Sequence, residues 1–433
     1  MGSTAVELCA SIEAAMREGR LAPGARLPTV RGLSQRCGVS PATVASAYRS
    51  LRERGLLVAQ GRRGTRVSPR PPLYTRGAPT VPGHVRNLAD GNPDPALLPR
   101  LRRALHSLDP AQRLYAEDLA LAELLQLAKR GLAGDGIPAN ALAVTSGALD
   151  GIERVLAAHL RRGDRVAVED PAFSGVVDLL SGLGLVPEPV ALDDSGPLPD
   201  ALDKALRSGV QALIVTPRAQ NPMGSALDPR RVRELRAVLR SFPDALVIED
   251  DHAGPVAGAP ARTLCDASRL RWAVVRSVSK SLGPDLRLAI LSGDSATVAR
   301  VEGRQLLGIR WVSHILQRVV VALWSERGMS ARLRRAEHIY TKRRNVLLDA
   351  LAKHGIAAHG RSGLNIWVPV PEEVKVVSAL MDAGWAVAAG ERYRIASAPA
   401  IRITISTLEP AEARRLAADL SAALEPAGRT HAA

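Results

Sequence analysis

Lys280 is one of only six lysines in the 433-residue chain, and it lies in SVSKSLGPDLRLA just after a predicted buried strand. Ser277 and Ser279 flank it on one side, and Arg287 follows seven residues later. A lysine amine at a strand end can form a Schiff base with a carbonyl ligand, and hydroxyl and guanidinium groups nearby can bind a phosphate dianion. The segment therefore predicts a site for a phosphorylated carbonyl compound, with a solvated surface lysine as the alternative.

Another predicted strand ends in the consecutive carboxylates Glu249, Asp250 and Asp251 of VIEDDHAG. A pyridoxal ring acts as an electron sink while its nitrogen stays protonated, and a paired carboxylate keeps that proton in place. Asp250 is the candidate for this pairing. Solvated acids or metal ligands are the alternative, but the sequence contains no accompanying set of metal ligands, so we expect no metal site.

Three further segments offer small or polar groups to the same ligand. In AVTSGALDGIERVL the chain passes from a strand through Ser146, Gly147 and Ala148 into a helix, whose N-terminus favours a phosphate. TPRAQNPMG places Asn221 to hydrogen-bond a phenolic oxygen, although Asn-Pro followed by Gly is otherwise a turn. EDPAFSG supplies Phe173 to stack on the ring, with a core phenylalanine as the alternative.

The first 70 residues are strongly basic. They contain twelve arginines against four glutamates, which accounts for more than half of the net charge of +15. Arginine-rich composition can arise from genomic base bias, but a local excess is typical of a surface that binds a phosphate backbone. The pattern predicts helices at about residues 4–18, 30–36 and 41–54 and a hairpin near 57–67.

The second and third of these helices form a predicted helix-turn-helix. The turn lies at Cys37 and Gly38, and Ser40 caps a helix that begins with Pro41. That helix would lie in the DNA major groove with Ser40 and Thr43 near bases and phosphates, while the turn carrying Arg62 and Arg63 would form a wing. Many αα-hairpins look similar, so the pattern alone leaves other folds open.

The composition and spacing also predict the domain organisation. Residues 68–84 contain five prolines and two glycines, so we expect a DNA-binding domain at 1–68, a linker at 69–86 and an effector domain at 87–433. In the effector domain, strands alternate with helices, which predicts an α/β fold with a mostly parallel sheet and a small α+β C-terminal subdomain. There is no apolar run long enough for a membrane span, and three scattered cysteines suit a reducing cytoplasm.

The N-terminal segment resembles the winged helix-turn-helix of the GntR family. LPTVR is similar to the family's entry motif, VSPATVASAY to its recognition helix and GRRGTRV to its wing. The resemblance implies double-stranded operator DNA as the partner. It also implies DNA contacts for Arg31, Ser40, Thr43, Arg49, Arg62, Arg63 and Thr65. For Arg31 and Arg49 the alternative is a solvated charge on a helix face.

SGA, DPAFSG, QNPMG, EDDH and SVSK, in this order, resemble the fold-type-I aminotransferases, and the fusion to a GntR-type domain resembles the MocR family. This resemblance implies pyridoxal 5'-phosphate as cofactor, an amine or amino-acid effector and a domain-swapped homodimer. Arg402 matches the arginine that holds a substrate carboxylate. Tyr115 matches a tyrosine that reaches the phosphate from the neighbouring subunit.

Three departures from the aminotransferase pattern favour cofactor binding over efficient turnover. His252 stands where many relatives have a tyrosine beside the cofactor oxygen, and its proton is expected to be pH-sensitive. Leu149 and Asp150 follow the SGA loop, and the region after Tyr115 lacks the family's glycine-rich turn. Our first hypothesis is a pyridoxal-phosphate-sensing regulator. A working transaminase with an accessory DNA-binding domain and a cofactor-free constitutive DNA binder remain alternatives.

Overall fold

The chain forms two compact units in the computed structural model. The first unit contains the N-terminal elements with the segments 160–166 and 175–187, and the second contains the other residues. The structure describes residues 4–53, 55–59, 64–68, 81–108, 114–115, 118–266 and 268–425. Arg62, Arg63 and most of the predicted linker lie outside these ranges. Within them, no helix is both long and apolar enough to cross a membrane.

The N-terminal domain consists of three helices and a hairpin, as predicted. They are α1 (Ala5–Arg17), α2 (Val30–Cys37), α3 (Pro41–Glu53), β1 (Leu57–Ala59) and β2 (Thr65–Val67), the two strands pairing antiparallel. Helix α2 ends at Gly38, whose φ of 65° is left-handed and suits glycine. The Ser40 hydroxyl accepts a hydrogen bond from the Thr43 amide at 3.1 Å and caps α3. Val44 and Leu51 on the opposite face of α3 are fully buried with Leu8 of α1.

The first strand after the N-terminal domain is the short β3 (Arg86–Asn87), and the described residues that follow it include a sheet of eight strands. In chain order they are β4 (Ala141–Thr145), β5 (Arg165–Asp170), β6 (Val186–Asp193), β7 (Gly196–Pro197), β8 (Ala212–Val215), β9 (Leu246–Asp251), β10 (Trp272–Ser277) and β11 (Ala289–Gly293). Their spatial order is β4-β11-β10-β9-β8-β5-β6-β7.

Helices precede, connect and follow the strands of this sheet, as is typical of an α/β fold. They are α4 (Leu101–His106), α5 (Ala122–Gly134), α6 (Ala148–His159), α7 (Ser174–Leu183), α8 (Pro199–Arg207), α9 (Pro229–Arg240), α10 (Ser295–Leu306) and α11 (His314–Ser325). The fold class predicted from the sequence is confirmed.

Strand β11 makes the sheet mixed. Strands β8, β9 and β10 are parallel, but β11 is antiparallel to both β10 and β4. The reason is the short connection 278–288, because a parallel neighbour needs a crossover of roughly a dozen residues or more. The carboxyl ends of β4, β8, β9 and β10 therefore meet at one edge of the sheet, beside the start of β11.

The C-terminal residues form the predicted α+β subdomain. Its elements are α12 (Met329–Lys353), β12 (Asn365–Pro369), α13 (Glu373–Asp382), β13 (Trp385–Ala386), β14 (Ala388–Ala389), β15 (Ala400–Thr404) and α14 (Pro410–Leu424). β12, β15 and β14 make one sheet, and β13 pairs in parallel with β3 at the start of the unit. Tyr340 and Trp385 are buried in the core of this subdomain.

Ser362 ties this subdomain to the turn that carries Asn221. Its buried hydroxyl donates to the Gly224 carbonyl at 2.9 Å and accepts from the Ala219 amide at 2.8 Å. We expect Ser362→Ala to lower the free energy of unfolding by about 1–3 kcal/mol, because it leaves the Ala219 amide without a partner. Urea unfolding followed by tryptophan fluorescence measures the change. Ser313→Ala is the matched control, since that serine is exposed and makes no capping bond, and an equal loss in the two variants would contradict the prediction.

Candidate functional site

The carboxyl edge of the sheet brings most of the predicted cofactor residues together. Parallel strands end at the same edge, so residues that follow different strands become neighbours in space. Ser146, Gly147 and Ala148 follow β4, Asn221 follows β8, Asp250 lies at the end of β9, and Ser279 and Lys280 follow β10. Arg287 lies just before β11 at the same edge.

Lys280 is half-buried, and its Nζ donates a hydrogen bond to the Gly91 carbonyl at 2.8 Å. Burial and the nearby positive charge of Arg402 lower the pKa of the Lys280 amine to about 8, against weaker opposing effects of Asp90 and Asp250. An amine that loses its proton this close to neutral pH is a better nucleophile than a solvated lysine. Half-burial and a main-chain acceptor distinguish Lys280 from a solvated surface lysine, and its role in a Schiff base stays a prediction.

Asp250 is a buried carboxyl group whose Oδ1 has no hydrogen-bond partner among the described residues. Burial and then the charge of Asp251 raise the pKa of Asp250 to about 7, while Lys280 opposes that rise. Buried polar atoms without partners are rare and costly in folded proteins. The orphaned oxygen fits the N–H of a protonated ring nitrogen, so the residues present suit the predicted cofactor.

Asp251 has the opposite environment although it is the next residue. Arg218 donates to it through Nε at 2.8 Å and Nη2 at 2.9 Å, and Arg276 Nε donates at 2.7 Å. Burial alone would raise the pKa of Asp251, but Arg276 and Arg218 hold it well below its usual range. Two buried arginines thus fix the end of β9, which positions Asp250.

A second group of side chains surrounds the N-terminus of α6. Arg287 Nη2 donates to the Ser146 carbonyl at 3.2 Å, and Ser277 Oγ donates to Ser279 Oγ at 3.0 Å. Gly147 has a φ of 99°, and a Cβ there would lie 3.1 Å from Arg287 Nη2. Only glycine therefore allows the guanidinium to approach the loop so closely, which suits a phosphate anchor.

Asp150 accepts a hydrogen bond from one of the backbone amides of this phosphate anchor. Its Oδ2 accepts the Ser146 amide at 2.8 Å, and its Oδ1 accepts from Arg154 Nε at 2.9 Å. The sequence departure after the SGA loop therefore has a structural consequence: a carboxylate occupies a backbone N–H that a phosphate would otherwise use.

Arg402 lies on β15 and is buried. Its Nη1 donates to Asn221 Oδ1 at 3.2 Å, its Nη2 donates to the Ala89 carbonyl, and its Nε has no partner among the described residues. The guanidinium also stacks on the Tyr393 ring, 4.8 Å from its centroid. Sequence reasoning missed both Ala89 and Tyr393. Ala89 could not be found from its residue type, because it acts through its backbone carbonyl.

His252 Nε2 lies 2.8 Å from the Ala219 carbonyl, in the turn that leads to Asn221. Burial, followed by the charge of Lys280, lowers the pKa of His252 to about 4. The imidazole therefore stays neutral near pH 7, and the pH sensitivity expected from the sequence is not supported. Phe173 is half-buried in the short connection between β5 and α7.

Tyr115 is 75% exposed, and it packs edge-on against the Trp311 ring with the centroids 5.7 Å apart. Arg310 Cζ lies 5.2 Å from the centre of the same tyrosine ring. Among the described residues, the ring contacts of Tyr115 are with Trp311 and Arg310, and neither belongs to the pocket above. A role in this pocket would require a neighbouring subunit, as the resemblance implies.

The predicted DNA contacts that fall within the described residues lie on the accessible side of the N-terminal domain. Arg31 and Arg49 are exposed, and Thr43 and Thr65 are half-buried. Ser40 is exposed, with its hydroxyl also 2.8 Å from Thr43 Oγ1. These side chains are therefore positioned for solvent or for a ligand such as DNA, and not for the core.

Comparisons with known proteins match both parts of the chain. The family model for aminotransferase class I and II matches residues 85–420, and that for bacterial regulatory proteins of the gntR family matches residues 4–67. The chain is 40% identical over 428 residues to the vitamin B6 salvage pathway transcriptional repressor PtsJ of Salmonella typhimurium, covering 98% of this chain and 99% of that protein. These matches confirm both resemblances drawn from the sequence.

Two more distant proteins are also similar. The HTH-type pyridoxine biosynthesis transcriptional regulator PdxR of Corynebacterium glutamicum is 28% identical over 371 residues, covering 81% of this chain and 79% of that protein. The kynurenine aminotransferase of Pyrococcus horikoshii has a TM-score of 0.72 at 20% identity, covering 79% of this chain and 91% of that chain. The second match shows the fold alone.

The contrast between Asp250 and Asp251 predicts opposite effects of the same substitution. Because the pKa of Asp250 is raised to about 7, its burial costs stability progressively from about pH 4 to pH 7. Asp250→Asn removes that cost, so in ligand-free protein at pH 8 we expect the free energy of unfolding to rise by at least about 1 kcal/mol. The gain should disappear near pH 4.

Asp251→Asn is the matched control. It leaves Arg218 and Arg276 with only the more exposed carboxylate of Asp135, and we expect a loss of about 3–5 kcal/mol at pH 8 because the buried partner is removed. Urea titrations of the two variants and the unmodified chain at both pH values measure these changes. A lower stability of Asp250→Asn than of the unmodified chain at pH 8 would contradict the assignment.

Proposed function

The chain belongs to the aminotransferase class I and II family and joins that domain to a gntR-family regulatory domain, and from this premise we propose that it is a transcriptional regulator whose DNA binding responds to pyridoxal phosphate at Lys280. The observation that carries the proposal is that one edge of the sheet holds both the half-buried amine of Lys280 and the buried carboxyl group of Asp250. The Asp250 Oδ1 has no hydrogen-bond partner among the described residues. The names of two relatives, which link PtsJ to vitamin B6 salvage and PdxR to pyridoxine biosynthesis, support it.

Each residue of the pocket has a defined task in this proposal. Pyridoxal phosphate supplies an aldehyde that reacts with primary amines and a ring that withdraws electrons. Lys280 provides the amine, and Asp250 holds the proton on the ring nitrogen. Arg287, the serine hydroxyls and the N-terminus of α6 hold the phosphate, and the Asn221 amide donates to the phenolic oxygen. The domain bounds 1–68, 69–86 and 87–433 are part of the same proposal.

Arg402 points to the chemistry of the effector. Its buried guanidinium has an unpartnered Nε, and a carboxylate satisfies such a group through two parallel hydrogen bonds. An amino acid combines this carboxylate with an amine that can compete with Lys280. We therefore propose an amine or amino-acid effector, with a coupling to DNA of about 1–3 kcal/mol.

A working aminotransferase is the second candidate, since the lowered pKa of Lys280 and the buried Arg402 also suit turnover. Two observations favour regulation over it. The Gly91 and Ala89 carbonyls hold Lys280 and Arg402, and Asp150 occupies an amide of the phosphate anchor. Steady amino-group transfer by the purified protein would favour the second candidate.

We also propose a homodimer, domain-swapped as the MocR resemblance implies. Several exposed apolar side chains lie near Trp311 in the sequence, and Tyr115 packs against the Trp311 ring. Exposed apolar surface of this kind marks interaction surfaces in soluble proteins. This apolar patch comprises Leu114, Tyr115, Leu306, Leu307, Ile309 and Ile315. A second copy would bring Tyr115 to the neighbouring pocket, which accounts for its position outside this one.

Lys280→Ala tests the cofactor assignment. We expect loss of the yellow absorbance that lysine-bound pyridoxal phosphate gives, because the amine is removed. In gel-shift titrations on the chain's own promoter region, the variant should bind DNA equally with and without pyridoxal phosphate. Lys375→Ala on the exposed face of α13 is the control and should behave as the unmodified chain. The proposal fails if Lys280→Ala retains both the absorbance and the DNA response.

Leu307→Glu tests the dimer. Leu307 is 89% exposed within the apolar patch, and a buried unpaired carboxylate there would oppose association. We expect the dimer dissociation constant to rise at least about tenfold in sedimentation equilibrium, which corresponds to about 1.4 kcal/mol. Val374→Glu is the control, since Val374 is 76% exposed outside the patch. Unchanged association of Leu307→Glu would exclude the patch as the interface.

A further inference from the structure

Two backbone carbonyls in residues 88–92 accept hydrogen bonds from the two cationic side chains of the pocket, Lys280 and Arg402. The Gly91 carbonyl accepts from Lys280 Nζ at 2.8 Å, and the Ala89 carbonyl accepts from Arg402 Nη2. These are the same two groups that a carbonyl cofactor and an effector carboxylate would engage. A short segment of main chain therefore holds both cationic side chains, and we name residues 88–92 the pocket loop.

The pocket loop is shaped for this contact. Gly91 has a φ of 71°, and a Cβ at this position would lie 3.4 Å from the Arg402 guanidinium. Asp90 Oδ1 accepts the Asn92 amide at 2.9 Å, which sets the turn. The exposed carboxylate of Asp90 also attracts both Lys280 and Arg402 electrostatically. Both hydrogen bonding and charge thus hold the loop on the pocket.

The pocket loop is also the part of the effector domain nearest in sequence to the DNA-binding domain. It follows β3 directly, and β3 consists of only two residues at the end of the predicted linker. β3 is anchored by main-chain bonds: the Arg86 amide donates to Gly384 and the Leu88 amide donates to Ala386, each at 2.8 Å. A displacement of Ala89 or Gly91 therefore acts on the linker through four or fewer intervening residues.

We propose that the pocket loop is a lid that reports occupancy of the pocket to the linker. The Gly91 and Ala89 carbonyls hold Lys280 and Arg402, and the loop keeps β3 in place. A ligand that engages either cation competes with these carbonyls and releases the loop and β3, and this release changes the affinity for DNA. This inference rests on the proposed function and specifies how its site is regulated.

Two substitutions loosen the lid without replacing a residue assigned to ligand binding. Asp90→Asn removes the attraction to the two cations but keeps an oxygen for the Asn92 amide. Gly91→Ala strains a left-handed position, while its Cβ would be in ordinary van der Waals contact with the Arg402 guanidinium. Gly83→Ala is the matched control in the same segment, because a Cβ there meets nothing within 4 Å and its φ is not left-handed.

Backbone amide hydrogen exchange of peptides covering residues 86–95 tests the lid in full-length protein. Without ligand, both variants should exchange at least about tenfold faster than the unmodified chain, and Gly83→Ala should not. Saturating pyridoxal phosphate should raise exchange in the unmodified chain by a similar factor. Equal exchange in all four ligand-free proteins would overturn the proposal.

DNA affinity provides the second readout. In the unmodified chain, saturating pyridoxal phosphate should change the DNA dissociation constant by at least about fivefold. The ratio should fall to about one in Gly91→Ala and to an intermediate value in Asp90→Asn, while Gly83→Ala keeps the full ratio. Since each measurement is made at saturation or in the absence of ligand, a changed cofactor affinity does not alter the expected result.

The outcomes separate this inference from the proposed function. No yellow absorbance in the unmodified chain would contradict the proposed function, and the lid with it. Binding of pyridoxal phosphate with a DNA response, but with unchanged exchange at 86–95 and a full ratio in Gly91→Ala, would contradict the lid alone.

Discussion

A carboxyl group buried without a hydrogen-bond partner constrains everything around it, and Asp250 is such a group. Leaving a buried polar atom unsatisfied costs about 1–3 kcal/mol, which is a large share of the stability of a typical domain. The surrounding structure must therefore be rigid enough to keep the side chain in place. Arg218 and Arg276 supply that rigidity by binding the adjacent Asp251, and the parallel strands on both sides of β9 prevent the strand end from turning away.

The positions of three consecutive acids along β9 explain why their carboxyl groups have different environments and different pKa values. Side chains alternate across a strand, so Asp250 faces the opposite side from Glu249 and Asp251. Glu249 accepts the Leu264 amide, and burial raises its pKa to about 7. Asp251 is held ionised by two arginines. Asp250 lies between them, close enough to Lys280 for that charge to oppose the rise in its pKa, and its Oδ1 has no partner among the described residues. Its nearness to the Lys280 amine distinguishes it from the two neighbouring structural acids.

Much of this arrangement could be predicted from the sequence because it depends on strand ends. Lys280, Asp250 and Asn221 each follow a recognisable apolar run, and parallel strands bring such positions to one edge. What could not be predicted depends on the backbone. The reversal of β11 follows from a connection too short for a crossover, and the Ala89 and Gly91 carbonyls carry no mark in their residue types. The loss of the Ser146 amide to Asp150 needed coordinates, although the unusual acid itself was visible.

These backbone contacts bear on whether the pocket suits sensing or turnover. A switch requires two states of comparable free energy, since a ligand shifts an equilibrium only by its differential affinity for them. In this chain most polar groups of the pocket have partners in the protein itself: Lys280 and Arg402 have main-chain acceptors, and Asp150 accepts one amide of the phosphate anchor. Asp250 Oδ1 and Arg402 Nε have no partner among the described residues. A pocket whose internal contacts compete with those of a ligand is better suited to reversible binding, and hence to reporting cofactor concentration, than to holding the cofactor permanently for catalysis.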